Sequence, residues 1–265
     1  MKVINLFSGS KGNCTYIDVG KSKILIDVGS SYKQINNELL MNVGIDLNDI
    51  DVVLISHSHT DHISALDTIL SRHDTITAIT HKTVLESLKL LKKPIKNIDR
   101  IKTLPSDTIK KGEKFSIYLF ELKHDVPCYG FIIFDNEDNS LVHVSDNGGY
   151  MDRVLLEKLH NHTYYLIESN YDEYMQIIDT TRNEKLKRRV LGAWGHTSNV
   201  QAMSNFFKLV GERTKGLMFT HLSEHCNSLD IAKNTHDNLI DIWGKNRELK
   251  NVTIKYANQS NSTEM

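Results

Sequence analysis

Four residues that commonly bind metal ions lie within the six-residue segment His57-Ser58-His59-Thr60-Asp61-His62. His57 and His59 alternate along an extended segment, so both can face one side of the chain. Asp61 and His62 follow where a helix is expected to begin. Imidazole and carboxylate groups together suit zinc, manganese or iron. The alternative is a solvated histidine-rich turn, but the apolar run at 51–56 directly before the cluster favours a metal site at the end of a buried strand.

Three further candidate ligands lie at the ends of predicted strands. His124, Asp146 and His221 each follow a strand-like run, and sites form where such loops gather. A carboxylate such as Asp146 could bridge two metal ions about 3.5–4 Å apart. Each residue taken alone could instead be an ordinary capping residue, so the first cluster is what favours ligation.

His196 is a candidate for proton transfer rather than for metal binding. It lies in Gly195-His196-Thr197-Ser198-Asn199, which has the pattern of a helix start. Glu168 ends the strand-like run at 164–168 and could orient the imidazole. A plain loop histidine is the alternative interpretation.

The elements that must position these residues form two similar halves. Strands are predicted at 3–7, 15–19, 23–28, 51–56, 76–79, 114–122, 129–134, 140–144, 164–168, 216–220 and 251–256, and helices at 32–43, 66–71, 84–91, 151–159, 199–210 and 231–243. Two sheets packed face to face with helices outside suit this order, which indicates the α/β class. We expect one domain over 1–256 and a frayed polar tail at 257–265.

The composition bears on the cellular compartment and on the classes of molecule that the protein could bind. The 265 residues carry a net charge of -1, so any attraction to nucleic acid must be local. No apolar stretch approaches the roughly 20 residues that cross a bilayer, and the N-terminus lacks the apolar core of a signal peptide. Cys14, Cys128 and Cys226 lie far apart, which fits a reducing compartment. We therefore expect a cytoplasmic protein without a membrane partner.

The segment HSHTDH resembles the HxHxDH signature of the metallo-β-lactamase superfamily. The segments FSGSKGNCTYI, ILIDVG, HDVPCYGF, VSDNG, IESNYD, GHTSN and THLSEHCN occur in the order typical of the YycJ (WalJ) branch, which is close to tRNase Z and other phosphodiesterases. The resemblance covers nearly the whole chain, and GHTSN and IESNYD are its more specific markers. It implies a four-layer αββα sandwich, the metallo-β-lactamase fold, and two divalent metal ions per chain, zinc or alternatively manganese.

The resemblance also implies a role for each candidate residue. The first metal would be held by His57, His59 and His124, the second by Asp61, His62 and His221, and Asp146 would bridge them. His196 would assist the leaving group, with Glu168 as its acidic partner and Asp61 as a further catalytic residue. Asp27 would be a structural carboxylate beneath the site, and Ser198, Asn199, Ser223 and Asn227 are the candidate substrate-binding residues. Thr197 and Cys226 stand where Leu and Asn are expected, which bears on substrate fit.

Phosphodiester cleavage is the chemistry that this set favours. Two metal ions lower the pKa of a bound water toward neutrality, and a hydrolase of lactams or thioesters would not need His196 in that place. The first hypothesis is a nuclease acting on DNA or another nucleic acid, most simply a DNA exonuclease. The alternatives are a phosphodiesterase for cyclic nucleotides, as in phage proteins of this superfamily that silence host defence, and a non-catalytic metal-binding module, against which the complete ligand set speaks.

Two basic stretches could contact a phosphate backbone. Residues 82–102 contain seven Lys or Arg against two acids, and residues 182–189 contain five against one. Solvated helix faces are the alternative for both stretches. No Gly/Pro-rich arm of the kind that tRNase Z uses for tRNA is evident, which disfavours tRNA processing. Relatives often dimerise, so a homodimer is open as well as a monomer.

Overall fold

The structure is a computed structural model that describes residues 1–243, 247–259 and 261–265, with side chains for all of these except 247 and 248. Its strands are β1 (Lys2–Phe7), β2 (Cys14–Asp18), β3 (Lys23–Ile26), β4 (Val52–Leu54), β5 (Thr77–His81), β6 (Ile101–Leu104), β7 (Ile109–Lys111), β8 (Ser116–Leu122), β9 (Cys128–Phe134), β10 (Ser140–Val144), β11 (Tyr164–Glu168), β12 (Gly216–Thr220), β13 (Thr253–Tyr256) and β14 (Thr263–Glu264).

The helices begin mostly at residues that cap them. They are α1 (Tyr32–Asn42), α2 (Thr60–Ile63), α3 (Leu66–Arg72), α4 (Lys82–Lys89), α5 (Arg153–Leu159), α6 (Glu173–Ile178), α7 (Glu184–Leu191), α8 (Asn199–Leu209) and α9 (Leu229–Trp243), with short 3₁₀ turns at Leu47–Asp49, Ile98–Arg100 and Arg247–Asn251. Ser31 and Ser198 each form a capping box at the start of α1 and α8. The described helices include none that is long and apolar enough to cross a membrane.

The strands form two sheets of seven strands each. One sheet has the order β14-β1-β2-β3-β4-β5-β6, and the other has the order β13-β12-β11-β10-β9-β8-β7. Strands β3 to β6 run parallel, as do β10 to β13. The central parallel strands are almost entirely buried and apolar, as expected for strands covered on both faces.

By its contacts the chain divides into two compact units. The first contains residues 1–121, 126–139 and 257–265, and the second contains residues 122–125 and 140–256. In each unit the carboxyl ends of neighbouring parallel strands carry the candidate site residues, which is where parallel sheets place their ligand sites. Asp27 follows β3 and His57 follows β4 in the first unit. Asp146 follows β10 and His221 follows β12 in the second.

The elements predicted from the sequence agree with the structure to within a few residues, but β6, β7, β14, α6 and α7 were missed. The short strands β6 and β7 have mostly exposed side chains, and α6 and α7 begin at Asp172 and Asn183 caps within a charged segment. A periodicity search detects buried faces, so elements with few buried positions escape it.

The expectation of a frayed tail is wrong for Thr263 and Glu264. These residues form β14 and pair with Asn5 and Ile4 of β1, a strand whose unpaired edge offers backbone donors and acceptors. Residue 260 of the predicted tail lies outside the described residues. The division into one domain of 1–256 and a tail stays a prediction.

A buried histidine joins α9 to the start of α8 within the second unit. The side chain of His236 on α9 is fully buried, and its Nε2 lies 3.1 Å from the carbonyl oxygen of Asn199, to which it donates. Its Nδ1 lies 3.1 Å from the hydroxyl of Tyr256, and its ring packs on Phe219. Burial lowers the pKa of His236 to about 4, against which its bond to Asn199 acts only weakly.

We expect the His236→Gln variant to lose part of the protein's acid sensitivity. An unfolded histidine titrates near 6.5, so between pH 6.5 and 4 the unfolded chain binds a proton that folded His236 refuses. Its contribution to stability is therefore complete above pH 6.5 and is lost as the pH falls toward 4. Urea unfolding should show that the wild type loses about 2 kcal/mol more than the variant between pH 7 and pH 5.

The exposed His160 supplies the matched control for this comparison. His160→Gln should keep the acid sensitivity of the wild type. Equal slopes of stability against pH for His236→Gln and the wild type would show that His236 does not stay neutral in the folded protein.

Candidate metal centre

In the first unit the histidine cluster occupies the turn between β4 and α2. His57 is buried three residues after the end of β4, and His59 is the residue before the first turn of α2. The rings of His57 and His59 have centroids 4.7 Å apart, and those of His57 and His62 are 4.0 Å apart. Gly29 lies against this turn so closely that a β-carbon there would overlap the carbonyl oxygen of Asp61. The turn therefore requires a glycine on the neighbouring strand end.

Asp27 fixes the orientation of two of these imidazoles. Its carboxylate is buried and accepts hydrogen bonds from the Ser56 amide at 2.8 Å, the Ser56 hydroxyl at 2.7 Å and His62 Nδ1 at 2.7 Å. Because the Ser56 hydroxyl donates to Asp27, its oxygen accepts from His57 Nδ1 at 2.9 Å. Both imidazoles then carry their protons on Nδ1, which leaves each Nε2 with the lone pair that binds metal.

Asn13 belongs to the same cluster and was missed in the sequence analysis. Its Nδ2 lies 3.0 Å from His62 Nε2 and 3.3 Å from the carbonyl oxygen of Asp61. Its backbone amide donates to that same carbonyl oxygen at 2.8 Å. The signal for it in the sequence is the segment FSGSKGNCTYI of the family resemblance, which does not by itself give its asparagine a role.

In the second unit a buried glutamate plays the part that Asp27 plays in the first. Glu168 Oε1 accepts from His196 Nδ1 at 2.6 Å and from His221 Nδ1 at 2.8 Å. Glu168 Oε2 accepts the backbone amides of Asn147 and Thr197, each at 3.1 Å. Burial raises the pKa of Glu168, but the charge of His196 and these hydrogen bonds outweigh it, so its pKa lies below the usual range.

Asp146 joins this group from the end of β10. Its Oδ1 lies 2.8 Å from His221 Nδ1 and 3.5 Å from His196 Nδ1. Burial opposes protonation of His196, but the charges of Glu168 and Asp146 outweigh it and raise the pKa of His196 to about 9. The pKa of His221 is raised for the same reasons. The ligand atoms of Asp146, Glu168, His196 and His221 all lie within 4.8 Å of one another, a set of imidazole and carboxylate donors that suits a divalent cation.

His124 lies beside His196 within the same unit. Its Nδ1 donates to the carbonyl oxygen of Gly195 at 3.1 Å, and the two imidazole rings have centroids 5.4 Å apart. The bond to Gly195 makes Nδ1 a donor, as in His57 and His62, and leaves Nε2 as the nitrogen on the opposite side of the ring. His124 Nε2 lies 3.2 Å from Asp125 Oδ1.

The four candidate substrate-binding residues are buried and bonded to other parts of the protein. Ser198 caps α8 and donates to Glu173 at 2.8 Å, and Ser223 accepts from Arg182 at 3.1 Å. The side-chain amides of Asn199 and Asn227 bond to each other at 2.9–3.0 Å. These contacts show a role in holding the loops around Glu168 and His221, and a contact with substrate stays a prediction.

Thr197 and Cys226, the two departures from the family pattern, both contact neighbouring segments of the second unit. The Thr197 hydroxyl donates to the carbonyl oxygen of Asn147 at 2.6 Å, which joins the loop after β10 to the start of α8. Cys226 lies under α7, with its Sγ 3.4 Å from Asp179 Oδ2.

With its two clusters of imidazoles and carboxylates at strand ends, the protein has the features of a metal-dependent hydrolase. The chain belongs to the metallo-β-lactamase superfamily, because residues 8–193 match the family described as "Metallo-beta-lactamase superfamily". The fold class predicted from the sequence, the αββα sandwich of that superfamily, is thereby confirmed.

Individual relatives narrow the comparison. The chain is similar to "Exodeoxyribonuclease WalJ" of Streptococcus pneumoniae serotype 2 (strain D39 / NCTC 7466), with 31% identity over 233 residues, 87% of this chain and 84% of that protein. It is 26% identical to "Exodeoxyribonuclease YycJ" of Bacillus anthracis over 235 residues, 86% of this chain and 84% of the relative. The metallo-β-lactamase fold protein YhfI from Bacillus subtilis has a TM-score of 0.69 at 17% identity and covers 99% of both chains. The resemblance to the YycJ (WalJ) branch is therefore confirmed.

Replacing Asp27 with Asn should weaken metal binding without removing a ligand. Asparagine tolerates the left-handed backbone at this position, where φ is 57°, but it has only one side-chain oxygen. In either orientation its Nδ2 faces a donor, either the Ser56 amide or the Ser56 hydroxyl and His62 Nδ1. We expect a loss of about 10- to 100-fold in metal affinity, measured by competition with a chromogenic chelator. Asp74→Asn, at a fully exposed side chain, is the control, and an unchanged affinity in Asp27→Asn would contradict the orienting role.

Proposed function

We propose that this chain is a nuclease that hydrolyses phosphodiester bonds in DNA, acting from a strand end as an exonuclease. The observation that carries the proposal is the pairing of His196 with the buried carboxylate of Glu168 beside Asp146 and His221. The printed names of WalJ and YycJ, which match over most of this chain, support DNA as the substrate.

The proposal includes two divalent cations, zinc first and manganese as the alternative. The residues that would hold them are those carried over from the family pattern: His57, His59 and His124 for one, Asp61, His62 and His221 for the other, with Asp146 between. The hydrogen bonds to Asp27, Ser56 and Gly195 support this assignment, because they engage Nδ1 of three imidazoles and make Nε2 the nitrogen that would bind metal. At His62 and His124 the metal would replace the contacts of Nε2 with Asn13 and Asp125. Bound divalent cations would supply Lewis acidity and a nucleophile available near neutral pH.

His196 is the residue that we assign to the leaving group. Its Nδ1 is held by Glu168, so Nε2 is the nitrogen that can meet a substrate, and 14% of the side chain is exposed. A protonated Nε2 donates to the departing oxygen and stabilises its charge as the phosphorus–oxygen bond breaks. Glu168 compensates the positive charge on the imidazolium and fixes its direction. The backbone amide of His196 donates to the carbonyl oxygen of Val190 at 3.1 Å, which anchors the ring from its main chain.

The first test compares substrates with one preparation of the protein. Loaded with zinc or manganese, it should release nitrophenol from bis-p-nitrophenyl phosphate and shorten end-labelled DNA strands, and EDTA should abolish both reactions. His59→Ala should have no activity on either substrate. Cleavage confined to cyclic mononucleotides would overturn the assignment to DNA in favour of a cyclic-nucleotide phosphodiesterase, and no cleavage of any phosphodiester would overturn the proposal as a whole.

The second test separates proton transfer from metal binding at His196. His196→Ala should lower kcat for an alkyl-ester substrate about 10²- to 10⁴-fold while metal content, measured by plasma mass spectrometry, stays at the wild-type level. His160→Ala serves as the control. A fall in bound metal would show that His196 is a ligand, as its place among the four donors also allows.

A further inference from the structure

An exposed tryptophan stands two residues before His196. Trp194 has 60% of its surface exposed, and it lies in the short segment that joins α7 to α8. A tryptophan usually buries most of its large apolar surface, so one this exposed is a candidate contact for a ligand.

The backbone around Trp194 is held firmly. A β-carbon at Gly195 would overlap the carbonyl oxygens of Arg189 and Val190, and one at Gly148 would overlap the carbonyl oxygen of Ala193. The Gly195 amide also donates to the carbonyl oxygen of Gly192 at 3.0 Å. The indole is therefore presented from an ordered main chain that continues directly into His196.

Basic side chains are concentrated on α7, the helix that precedes this segment. Lys185 and Arg188 are exposed and lie three residues apart, so they share a helix face, and neither makes an ion pair with any residue in the described part of the chain. Arg189 is half-exposed and lies 3.2 Å from Asp125. In contrast, Lys187 and Arg182 are mostly buried and bond to neighbouring groups. Only part of the basic stretch is thus directed to solvent.

We propose that Trp194, Lys185 and Arg188 form a subsite for single-stranded DNA, in which an unpaired base stacks on the indole and the cations contact phosphates. Aromatic faces combined with basic side chains are the means by which proteins bind single strands without sequence preference. The inference rests on the proposed function and adds to it the form of the substrate, a single-stranded end whose base is held next to His196. A second copy of this chain is a less suitable occupant, since a twofold contact would bring the two cationic helices together.

The test compares two forms of the protein, with and without the indole of Trp194, on two DNA strands, with and without bases. Wild type and Trp194→Ala are titrated, by fluorescence anisotropy, with a phosphorothioate-linked oligothymidine and with the same strand made abasic. The wild type should bind the base-bearing strand roughly tenfold more tightly than the abasic one. Trp194→Ala should lose this preference, and Trp194→Phe should keep most of it.

The matched control is Trp243→Ala, which removes a similarly exposed tryptophan from α9. It should retain the wild-type preference for bases. General damage to the fold weakens binding of both strands equally, so it cannot imitate a loss of preference. An undiminished preference in Trp194→Ala, or dissociation of a dimer into monomers without any effect on DNA, would overturn the subsite.

The contribution of the two cations is tested by replacing both Lys185 and Arg188 with Glu. Binding of both strands should weaken, and the slope of log affinity against log salt should fall by about 1 to 1.5. The exposed pair Lys92 and Lys93 in the other basic stretch supplies the control reversal. A larger effect from that control would place the strand elsewhere.

The outcomes also separate this inference from the proposed function. A wild type that cleaves DNA but shows no preference for bases keeps the nuclease and loses the subsite. A wild type that binds base-bearing strands through Trp194 but cleaves no phosphodiester keeps the subsite and loses the nuclease. Equal binding of the matching RNA strand would show that Trp194 recognises single strands of either sugar.

Discussion

In each of the two units, the cluster of candidate residues depends on a buried carboxylate that holds imidazoles through their Nδ1 atoms. Asp27 acts on His62 directly and on His57 through Ser56, and Glu168 acts on His196 and His221. A buried charge is costly unless several hydrogen bonds compensate it. Here that compensation is supplied by the site's own imidazoles and by nearby backbone amides. The same hydrogen bonds therefore stabilise each buried carboxylate and orient the imidazoles that bond to it.

The parallel strands explain why this interaction can form at all. Asp27, Asp146 and His221 each follow a buried strand and have positive φ angles of 57°, 46° and 58°. Left-handed backbone is unfavourable for residues other than glycine, and most of all for one as large as histidine. The hydrogen bonds to the carboxylates hold His221 in this conformation. Strain at the strand ends is thus compensated by the same contacts that position the candidate metal ligands.

Residues with a local pattern could be predicted from the sequence. HSHTDH follows an apolar run, and His124, Asp146, Glu168 and His221 lie at or just after strand ends, where a run of apolar and β-branched residues marks the strand. Most strands and helices could be predicted in the same way, because their buried positions form a regular pattern. Asn13 and the close approach of Gly29 to Asp61 could not be found in this way. Both contacts join segments that lie far apart in the sequence, and no local pattern of residues shows which distant segments meet.

For the four candidate substrate-binding residues, the sequence shows where they lie but not what they contact. Their motifs were recognised, but the sequence could not tell a polar residue that faces a ligand from one that holds a loop. Asn199 and Asn227 are buried against each other, and Ser198 caps α8. Exposure is the property that separates the two cases, and it favours residues outside the motifs. Trp194 is exposed and sits on a backbone fixed by glycine contacts beside His196. The buried polar residues therefore hold the loops around His196 in place, and the exposed indole beside it is the side chain that a ligand could reach.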